Sequence, residues 1–555
     1  MSKAFIRFWL LALVIISVFI RVHGANNYYY NADEAMHTGI ASGDTLAQVL
    51  QFSHYEIHPP ALYILTHYWM MLSHDPAFVR GLPLCFGVLL ILLYYRIGKA
   101  LNGKFTGLCC AVLIGVSNGC IIQSYVVRQY IFFLFFISLA YYYYLLWKSG
   151  RKTGALTAYS IWSTVACLCH FSAIFCIFCI ATYELLGMRK RKEAGQIQWM
   201  LVNAVIGVIA LSTYHQWQPI LVPLKSYFAT HTAGSLTNLM VHTLFYPLAT
   251  PGYVLPGYAS ALILLVCQVW VLIAPPHFIR NLSDLRALLT LNAMAYLLGM
   301  LLVLTRFYPE PGTRHSMWIL PFVIPPAGWM LADLCEWLNS KLIRSQSATA
   351  LLLLGAACLT YSPETRFHDG SEYVWPQDQW RSFNRYLQAL GPKDLIVTEK
   401  DDGIMLANLY RAMGTDAFTG VHMAALAPYR NTHILFNPYY PRNYSRNVLL
   451  ATLEEAQTRH MFDGMERLVF LRMAWSRSPL TDLMLCDMPD KQLVAFAPLD
   501  TTHALSRNDI YGRFAVIMIV PKVPFLKEAL ASNGKVANCL DGKHDMVPGF
   551  MAVHH

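Results

Sequence analysis

The sequence has few charged side chains. Asp, Glu, Lys and Arg make up only 13% of its 555 residues, and 56% are hydrophobic, whereas soluble proteins average about 25% charged residues. This composition argues against a soluble protein and predicts a membrane protein for most of the length. The net charge of +10 does not indicate nucleic-acid binding, because the basic residues lie mainly in short loops between apolar runs, as orientation signals do.

A recognisable metal-binding cysteine pattern is also absent. No CxxC…CxxC pattern occurs, and eleven of the thirteen cysteines lie within or beside apolar runs, where cysteine usually packs as a small hydrophobic residue. Cys176 and Cys179 have CxxC spacing but lie inside such a run. Only Cys486 and Cys539 lie in the polar C-terminal part, and they could form a disulfide if that part is extracytoplasmic.

Eleven apolar runs are predicted to span a membrane, because a spanning helix needs about 20 mostly apolar residues. They are residues 4–21, 79–98, 105–123, 129–147, 155–169, 171–187, 198–216, 257–274, 287–305, 316–334 and 349–361. The shorter run 60–72 is predicted to be an interfacial or re-entrant helix in the loop 22–78.

The distribution of Lys and Arg predicts the orientation. With the N-terminus in the cytoplasm, sixteen basic residues fall in cytoplasmic clusters and six on the opposite side. Residues 362–555 then lie outside, which in a bacterium is the periplasm. Residues 1–25 could also be a signal peptide, but Arg21 and His23 disturb the small-residue cleavage site that such a peptide needs.

The C-terminal part, residues 362–555, is predicted to be a soluble α/β domain. Amphipathic stretches at 402–413 and 446–460 lie between short apolar runs, and no glycine-rich phosphate loop, nucleophile elbow or internal repeat is evident. The predicted strands are Leu395–Thr398, His433–Phe436, Leu468–Leu471, Leu493–Phe496 and Phe514–Val520.

Two adjacent carboxylates, Asp33 and Glu34, follow the first apolar run. At a membrane face such a pair is costly unless it is solvated or used. A carboxylate there can act as a general base or hold a metal, and the alternative is a solvated loop or an acidic helix N-terminus. Catalysis at a membrane surface is the leading hypothesis.

A histidine-rich segment, His54-Tyr-Glu-Ile-His58, lies on the same predicted side. Glu56 and His58 could bind a metal or a phosphate, although the spacing matches no standard zinc motif. The alternative is a polar entry to the 60–72 helix, with Pro59 and Pro60 setting its start.

Arginines at the outer ends of two predicted spans could hold a phosphate. An arginine at membrane depth, such as Arg128, needs a partner. The partner could be a lipid phosphate, or the side chain could extend to the polar membrane interface. Arg314 beside His315 suits a bidentate grip on phosphate oxygens, or an anchor to lipid headgroups. With the acids, these groups could deprotonate a hydroxyl and stabilise a departing phosphate.

The order of these motifs resembles the GT-C superfamily of polytopic glycosyltransferases, especially bacterial relatives of protein O-mannosyltransferases and of the lipid A aminoarabinose transferase. The resemblance covers about residues 1–335. One position departs from the family, because Val126 stands where the family's Gln-Glu-Ala-Arg motif has an acid. The matching segments are Asp33-Glu34, His58-Pro-Pro-Ala-Leu-Tyr-Ile-Leu-Thr-His-Tyr-Trp69, Val79-Arg-Gly-Leu-Pro83, Arg128 with Tyr130, Cys169-His170-Phe171, and Arg314-His-Ser-Met-Trp-Ile-Leu-Pro-Phe-Val-Ile-Pro-Pro326.

The resemblance implies a GT-C fold in residues 1–361 and transfer, with inversion, from a polyprenyl-phosphate sugar to a glycan, glycolipid or protein acceptor. Asp33 would be the general base, and Glu34 would orient it or bind the sugar. No cofactor is required, although the superfamily allows a divalent metal. The donor phosphate would be held by Arg314, Arg128 and Arg80, and the cavity lined by His58, Glu56, Tyr130, His170 and His315.

Two other functions fit a polytopic protein. A transporter or lipid flippase would need charged residues near mid-membrane and inverted repeats, and the sequence shows neither. A non-catalytic assembly protein could bind a glycan through its outer domain, and the departure at Val126 keeps this alternative open.

Overall fold

The fold is taken from a computed structural model that describes two separate units. The helical unit comprises residues 1–26 and 40–369, and the sheet unit comprises residues 27–39 and 370–555. The predicted division at residue 361 stays a prediction. The described residues are mainly 3–29, 32–53, 58–150, 154–188, 201–209, 281–305, 314–340, 375–391, 393–398, 462–473, 491–496 and 515–530, with isolated positions and short strands elsewhere.

The described part of the first 188 residues is almost entirely helical. A capping residue marks the start of the longest helix, since the Asp75 carboxylate accepts the backbone N–H groups of Ala77 and Phe78, and Pro76 occupies the first turn. The helices are α1 (Lys3–Asn27), α2 (Ala32–Ala41), α3 (Leu46–Ser53), α4 (Ala61–Met70), α5 (Pro76–Asn102), α6 (Lys104–Gly115), α7 (Asn118–Gln123), α8 (Gln129–Lys148), α9 (Ala155–Cys169) and α10 (Ala173–Met188).

Two further long helices follow. They are α11 (Leu282–Leu304) and α12 (Leu320–Leu338), the second directly preceded by a 3₁₀ helix at Arg314–Ile319. Five described helices are long and apolar enough to cross a membrane: Ala4–Asn26, Pro76–Asn102, Gln129–Lys148, Leu282–Leu302 and Ser316–Leu338. They indicate a multi-pass membrane protein, as predicted. Of the predicted span 198–216, residues 201–209 are described and are helical; most of 257–274 and all of 349–361 lie outside the described residues.

The predicted span 105–123 is divided in the structure. Helix α6 ends at Gly115, Val116 and Ser117 interrupt it, and the short α7 follows. The apolar composition is continuous across the break, which is why hydropathy predicts one span. The 60–72 segment forms the ten-residue helix α4, shorter than a span, as its length predicted.

Apolar side chains from α4 to α12 form one continuous buried core in the helical unit. At one end of this core, Lys148 on α8 forms an ion pair with the buried carboxylate of Glu184 on α10 (Nζ–Oε2 distance 2.5 Å), and the Tyr144 hydroxyl donates to the same carboxylate at 2.5 Å. These contacts fix α8 against α10.

The sheet unit contains a four-stranded mixed sheet with the strand order β3-β4-β7-β5. Strands β3 and β4 run parallel, and the other neighbours are antiparallel. Four of the five predicted strands are confirmed; the fifth, 433–436, and most of the stretches 402–413 and 446–460 lie outside the described residues. The strands are β1 (Tyr28–Tyr29), β2 (Trp375–Pro376), β3 (Asp394–Thr398), β4 (Arg467–Met473), β5 (Gln492–Phe496), β6 (Leu505–Ser506), β7 (Ala515–Pro521) and β8 (Met546–Val547), with α13 (Gln377–Gln388) and α14 (Lys522–Leu530) as helices.

An ion pair joins the two parallel strands. Arg467 donates from Nε and Nη2 to the two carboxylate oxygens of the buried Asp394, at 2.6 and 2.7 Å. This hydrogen bonding raises the pKa of the Arg467 guanidinium. Asp394 also accepts the backbone N–H of Gly391 at 2.7 Å, so its carboxylate fixes the turn that leads into β3.

Candidate functional site

The two acids lie in the first turn of α2. Negative charge is favoured there, because the first backbone N–H groups of a helix have no partner within the helix and the helix dipole is positive at this end. Asp33 is partly exposed, whereas only 1% of Glu34 is exposed. Of the pair, Asp33 is therefore the more exposed carboxylate.

Two side chains in the next turn of α2 bind the backbone of the acids. His37 Nδ1 lies 2.5 Å from the carbonyl oxygen of Asp33, and since a carbonyl only accepts, Nδ1 carries the proton. The Thr38 hydroxyl donates to the carbonyl of Glu34 at 2.7 Å. The sequence reasoning assigned neither residue a role, although their i+4 spacing from the acids was a usable signal.

The segment that carries the acids belongs to the sheet unit. Strand β1 pairs antiparallel with β2, with Tyr28 opposite Pro376 and Tyr29 opposite Trp375. Residues 27–39 and 370–555 form one compact unit, so the acid pair is structurally part of the same unit as the C-terminal sheet.

Within the helical unit, two of the predicted histidines meet. The rings of His58 and His170 stack with their centroids 5.8 Å apart and an interplanar angle of 27°. The side-chain NH₂ group of Gln129 lies 3.0 Å from Nε2 and 3.2 Å from Nδ1 of His58, and since it only donates, one of these two ring nitrogens accepts. Both histidines are buried.

The tautomer of His170 is fixed by its own turn. His170 is the extended residue between α9 and α10, and its Nδ1 accepts the backbone N–H of Ser172 at 3.2 Å, with the Ser172 hydroxyl 2.6 Å away. A neutral ring that accepts at Nδ1 carries its proton on Nε2. The rings of Tyr130 and Phe133 lie 5.1 and 5.5 Å from that of His170, which completes an aromatic cluster.

Arg128 lies at the edge of this cluster. It is the buried, extended residue just before α8, and its guanidinium carbon is 5.4 Å from the centroid of the Tyr130 ring. Its backbone N–H donates to the backbone carbonyl of Val126 at 2.8 Å, which closes a tight turn just before α8. Val126 itself is buried.

The other predicted residues are not all placed with this cluster. Arg80 on α5 donates from Nη1 to the carbonyl of Ala25 at 3.0 Å, which ties α5 to the end of α1. Glu56 lies outside the described residues, and the side chains of Arg314 and His315 do as well. Among the described residues, no group of three or more His, Cys, Asp or Glu side chains is arranged to hold a metal ion.

Sequence reasoning missed Gln129, Ser172 and Arg21. The first two are common polar residues whose partners are distant in sequence or in the next turn, so no sequence signal marks them. Arg21 could have been found, because a charged residue inside an apolar run requires an explanation.

Comparison with known proteins supports the resemblance read from the sequence. Residues 2–228 match the family model described as dolichyl-phosphate-mannose-protein mannosyltransferase, a segment that is less than half of the chain but contains Asp33, His58, Arg128 and His170. No curated protein matches the chain.

The chain is similar to solved structures of membrane proteins. The apo structure of ArnT from Cupriavidus metallidurans matches with a TM-score of 0.53 at 14% identity, over 93% of this chain and 98% of that one. The structure of ArnT bound to undecaprenyl phosphate gives 0.48 at 14% identity over 92% and 98% of the two chains. The Archaeoglobus fulgidus oligosaccharyltransferase in the apo form gives 0.48 at 11% identity over 83% and 69%. The predicted resemblance to the GT-C membrane glycosyltransferases is confirmed, and the fold is similar to that of ArnT.

Proposed function

We propose that the protein is an inverting glycosyltransferase that moves a sugar from a polyprenyl-phosphate donor to a hydroxyl group of an envelope acceptor. The observation that carries the proposal is the acid pair in the first turn of α2, inside the segment that matches the mannosyltransferase family model. The ArnT fold supports it, and ArnT is itself a protein that has been crystallised with undecaprenyl phosphate.

In the proposed reaction Asp33 takes the proton of the acceptor hydroxyl. The hydroxyl oxygen bonds to the anomeric carbon of the donor sugar on the face opposite the phosphate. The bond from that carbon to the phosphate oxygen breaks, and its electron pair leaves with the phosphate. The products are the inverted glycoside and polyprenyl phosphate, with the proton on Asp33.

The burial of the two acids supports different roles for them. Asp33 is open enough to meet an acceptor, while the buried Glu34 is better suited to orient Asp33 or bind the sugar. Cationic and hydrogen-bonding groups would stabilise the charge on the departing phosphate. We assign the donor phosphate to Arg128, Arg80 and Arg314, and the cavity lining to His58, Glu56, Tyr130, His170 and His315.

The proposed setting is the bacterial inner membrane, with the N-terminus in the cytoplasm and residues 362–555 in the periplasm, as the distribution of Lys and Arg favours. The acceptor would be lipid A, a polysaccharide, another glycolipid or a protein, and the C-terminal domain would bear on the choice among them. Deletion of residues 362–555 tests that role. An unchanged acceptor preference would contradict it, whereas loss of all transfer would be ascribed to residues 27–39, which belong to the same compact unit as residues 370–555.

A transfer assay tests the proposed reaction. Purified protein in nanodiscs receives a panel of polyprenyl-phosphate sugars and an envelope extract, with and without EDTA, and release of polyprenyl phosphate is measured. Asp33→Asn should lower the rate about a hundredfold or more, because the amide cannot accept the proton. Asp44→Asn is the matched control, since Asp44 is an exposed acid just after α2.

Normal release by a folded Asp33→Asn protein would remove Asp33 from the role of base. If no donor gives release, but the protein moves a labelled lipid or solute across liposomes, the protein is a transporter. Binding of a glycan without release, unaffected by Asp33→Asn, identifies the non-catalytic alternative. Loss of release in EDTA would show that a divalent metal is required.

A further inference from the structure

Helix α1 has a fully buried arginine six residues before its end. Arg21 is 0% exposed, although Phe8, Leu11 and Phe19 on the same helix are more than half exposed. A charged group in a membrane-spanning helix is costly and is kept only where it has partners. Arg21 is therefore expected to make specific contacts inside the helical unit.

The partners of Arg21 include the end of a broken helix. Its Nη1 atom donates to the carbonyl of Gly115, the last residue of α6, at 3.4 Å. The same atom donates to the carbonyl of Ser17 at 3.3 Å and to the Ser17 hydroxyl. Carbonyls at a helix C-terminus lack partners within the helix, must be satisfied within a membrane, and favour a cation. Arg21 thus stabilises the point where the predicted span 105–123 breaks.

The turn 124–127, which follows α7, is packed tightly against α1 and α5. A Cβ atom on Gly24 of α1 would lie 2.5 Å from Cε1 of the Tyr125 ring. A Cβ atom on Gly87 of α5 would lie 2.6 Å from the Cβ of Ser124 and 3.2 Å from Arg21 Nε. Only glycine allows these approaches, so the side chains of Ser124 and Tyr125 fill the space beside α5 and α1.

We propose that Arg21 is a positioning residue for donor binding. Together with Gly24 and Gly87, it holds the turn 124–127, which leads directly into Arg128 and Gln129. This inference rests on the proposed function, because its consequence for the reaction is the placement of Arg128 for the donor phosphate. Arg21 itself does not contact the donor.

The first test measures binding of undecaprenyl phosphate to purified protein in detergent. Arg21→Met should weaken binding about tenfold, because it loses the charged hydrogen bond to the Gly115 carbonyl, which fixes the break that leads through α7 into the turn. Arg21→Lys should recover part of the loss, since it keeps the charge. Arg7→Met is the matched control, an exposed arginine in the same helix. With donor and acceptor, Arg21→Met should raise the KM for the donor more than it lowers kcat.

The second test is independent of activity. Cys120 is a fully buried thiol in α7, close enough to Arg21 to interact with its charge. Release of the turn in Arg21→Met should speed maleimide labelling of Cys120 severalfold, while the buried Cys110 and Cys176 stay protected as internal references.

A folded Arg21→Met protein that binds undecaprenyl phosphate normally, with Cys120 labelled at the wild-type rate, would overturn the proposal. If Arg21→Met does not fold, Gly87→Ala takes its place, because it displaces Ser124 without removing a charge; Gly119→Ala, which has no neighbour within 4 Å of the added Cβ, is its control. If wild-type protein binds no polyprenyl phosphate, the donor assignment fails, while the labelling of Cys120 still decides whether Arg21 holds the turn.

Discussion

Two neighbouring carboxylates in one helical turn have different surroundings. Residues adjacent in an α-helix point about 100° apart, so one can face inward while the next reaches the surface. Glu34 is buried, and Asp33 is partly exposed. Because Glu34 is buried, it is expected to contribute more to the stability of the fold than Asp33.

The first prediction separates these contributions. Glu34→Ala should lower the free energy of unfolding by about 2 kcal/mol, because it removes a buried group together with its interactions. Asp33→Ala should lower it by less than about 1 kcal/mol, because this carboxylate is partly exposed and a charge near a helix N-terminus contributes about 0.3–1 kcal/mol. Thermal unfolding of both variants in the same detergent measures the difference. Equal losses in the two variants would contradict the separation.

At the residue scale, the sequence predicts which residues belong to the candidate site, but it does not predict the contacts that fix their side chains. Asp33, Glu34, His58 and His170 could be named from their motifs, and the structure stacks the two histidines. The tautomer of His170 could not be read, because it depends on Ser172 Oγ and on the backbone N–H of Ser172. The position of the proton on the His170 ring is set by these contacts with Ser172, which lies outside the Cys169-His170-Phe171 motif.

At the scale of helices, the contact of α8 with α10 depends on a buried charge. Lys148 and Glu184 pair at 2.5 Å, with Glu184 only 4% exposed and Lys148 half exposed. A double-mutant cycle with Lys148→Met and Glu184→Gln should give a coupling energy of about 2 kcal/mol, since breaking a buried pair costs more than breaking a surface pair. Thermal unfolding measures it, and Lys99→Met, at an exposed lysine on α5, should have little effect. A coupling near zero would show that the pair does not stabilise this contact.

The hairpin of α5 and α6 depends instead on a close backbone approach. A Cβ atom on Gly98 would lie 2.7 Å from the carbonyl oxygen of Thr106 and 2.8 Å from the Cα of Gly107. Backbone atoms cannot move aside as a flexible side chain can, so Gly98→Ala should destabilise the protein by about 2 kcal/mol. Gly119→Ala, whose added Cβ meets nothing within 4 Å, is the matched control. Equal unfolding temperatures for the two variants would show that the helices separate without cost.

The same helices show where hydropathy stops being informative. The spans at 79–98 and 129–147 were predicted within a few residues of α5 and α8, because composition alone determines a long apolar helix. The break after Gly115 was not predicted, since Val116 is as apolar as its neighbours. What stabilises the break is Arg21, nearly a hundred residues earlier in the chain.

At the scale of the whole chain, the grouping of segments departs from their order in sequence. Residues 27–39 precede most of the helical unit, yet they form a compact unit with residues 370–555. The link includes a pair of two-residue strands, which is too short to leave a sequence pattern. The sequence places Asp33 and Glu34 in an outer loop, but it does not show that this loop belongs with the C-terminal sheet.

The strand pair of β1 and β2 can be tested by a cross-link. Tyr29 lies directly opposite Trp375, and opposed residues in an antiparallel pair have Cα atoms about 4.5–5.5 Å apart, a separation that a disulfide accepts. Tyr29→Cys with Trp375→Cys should therefore oxidise readily, and mass spectrometry of digested protein should recover the linked peptides.

The control pair is Tyr29→Cys with Arg381→Cys. Because Arg381 is out of register, on the exposed side of α13, this pair should cross-link far less. Equal linkage of both pairs would show that residues 28–29 are not held in this register, and the assignment of the acid pair to the sheet unit would lose its main support. Efficient linkage of the first pair alone would mean that the acid pair is held by the C-terminal unit, because only three residues separate Tyr29 from Asp33.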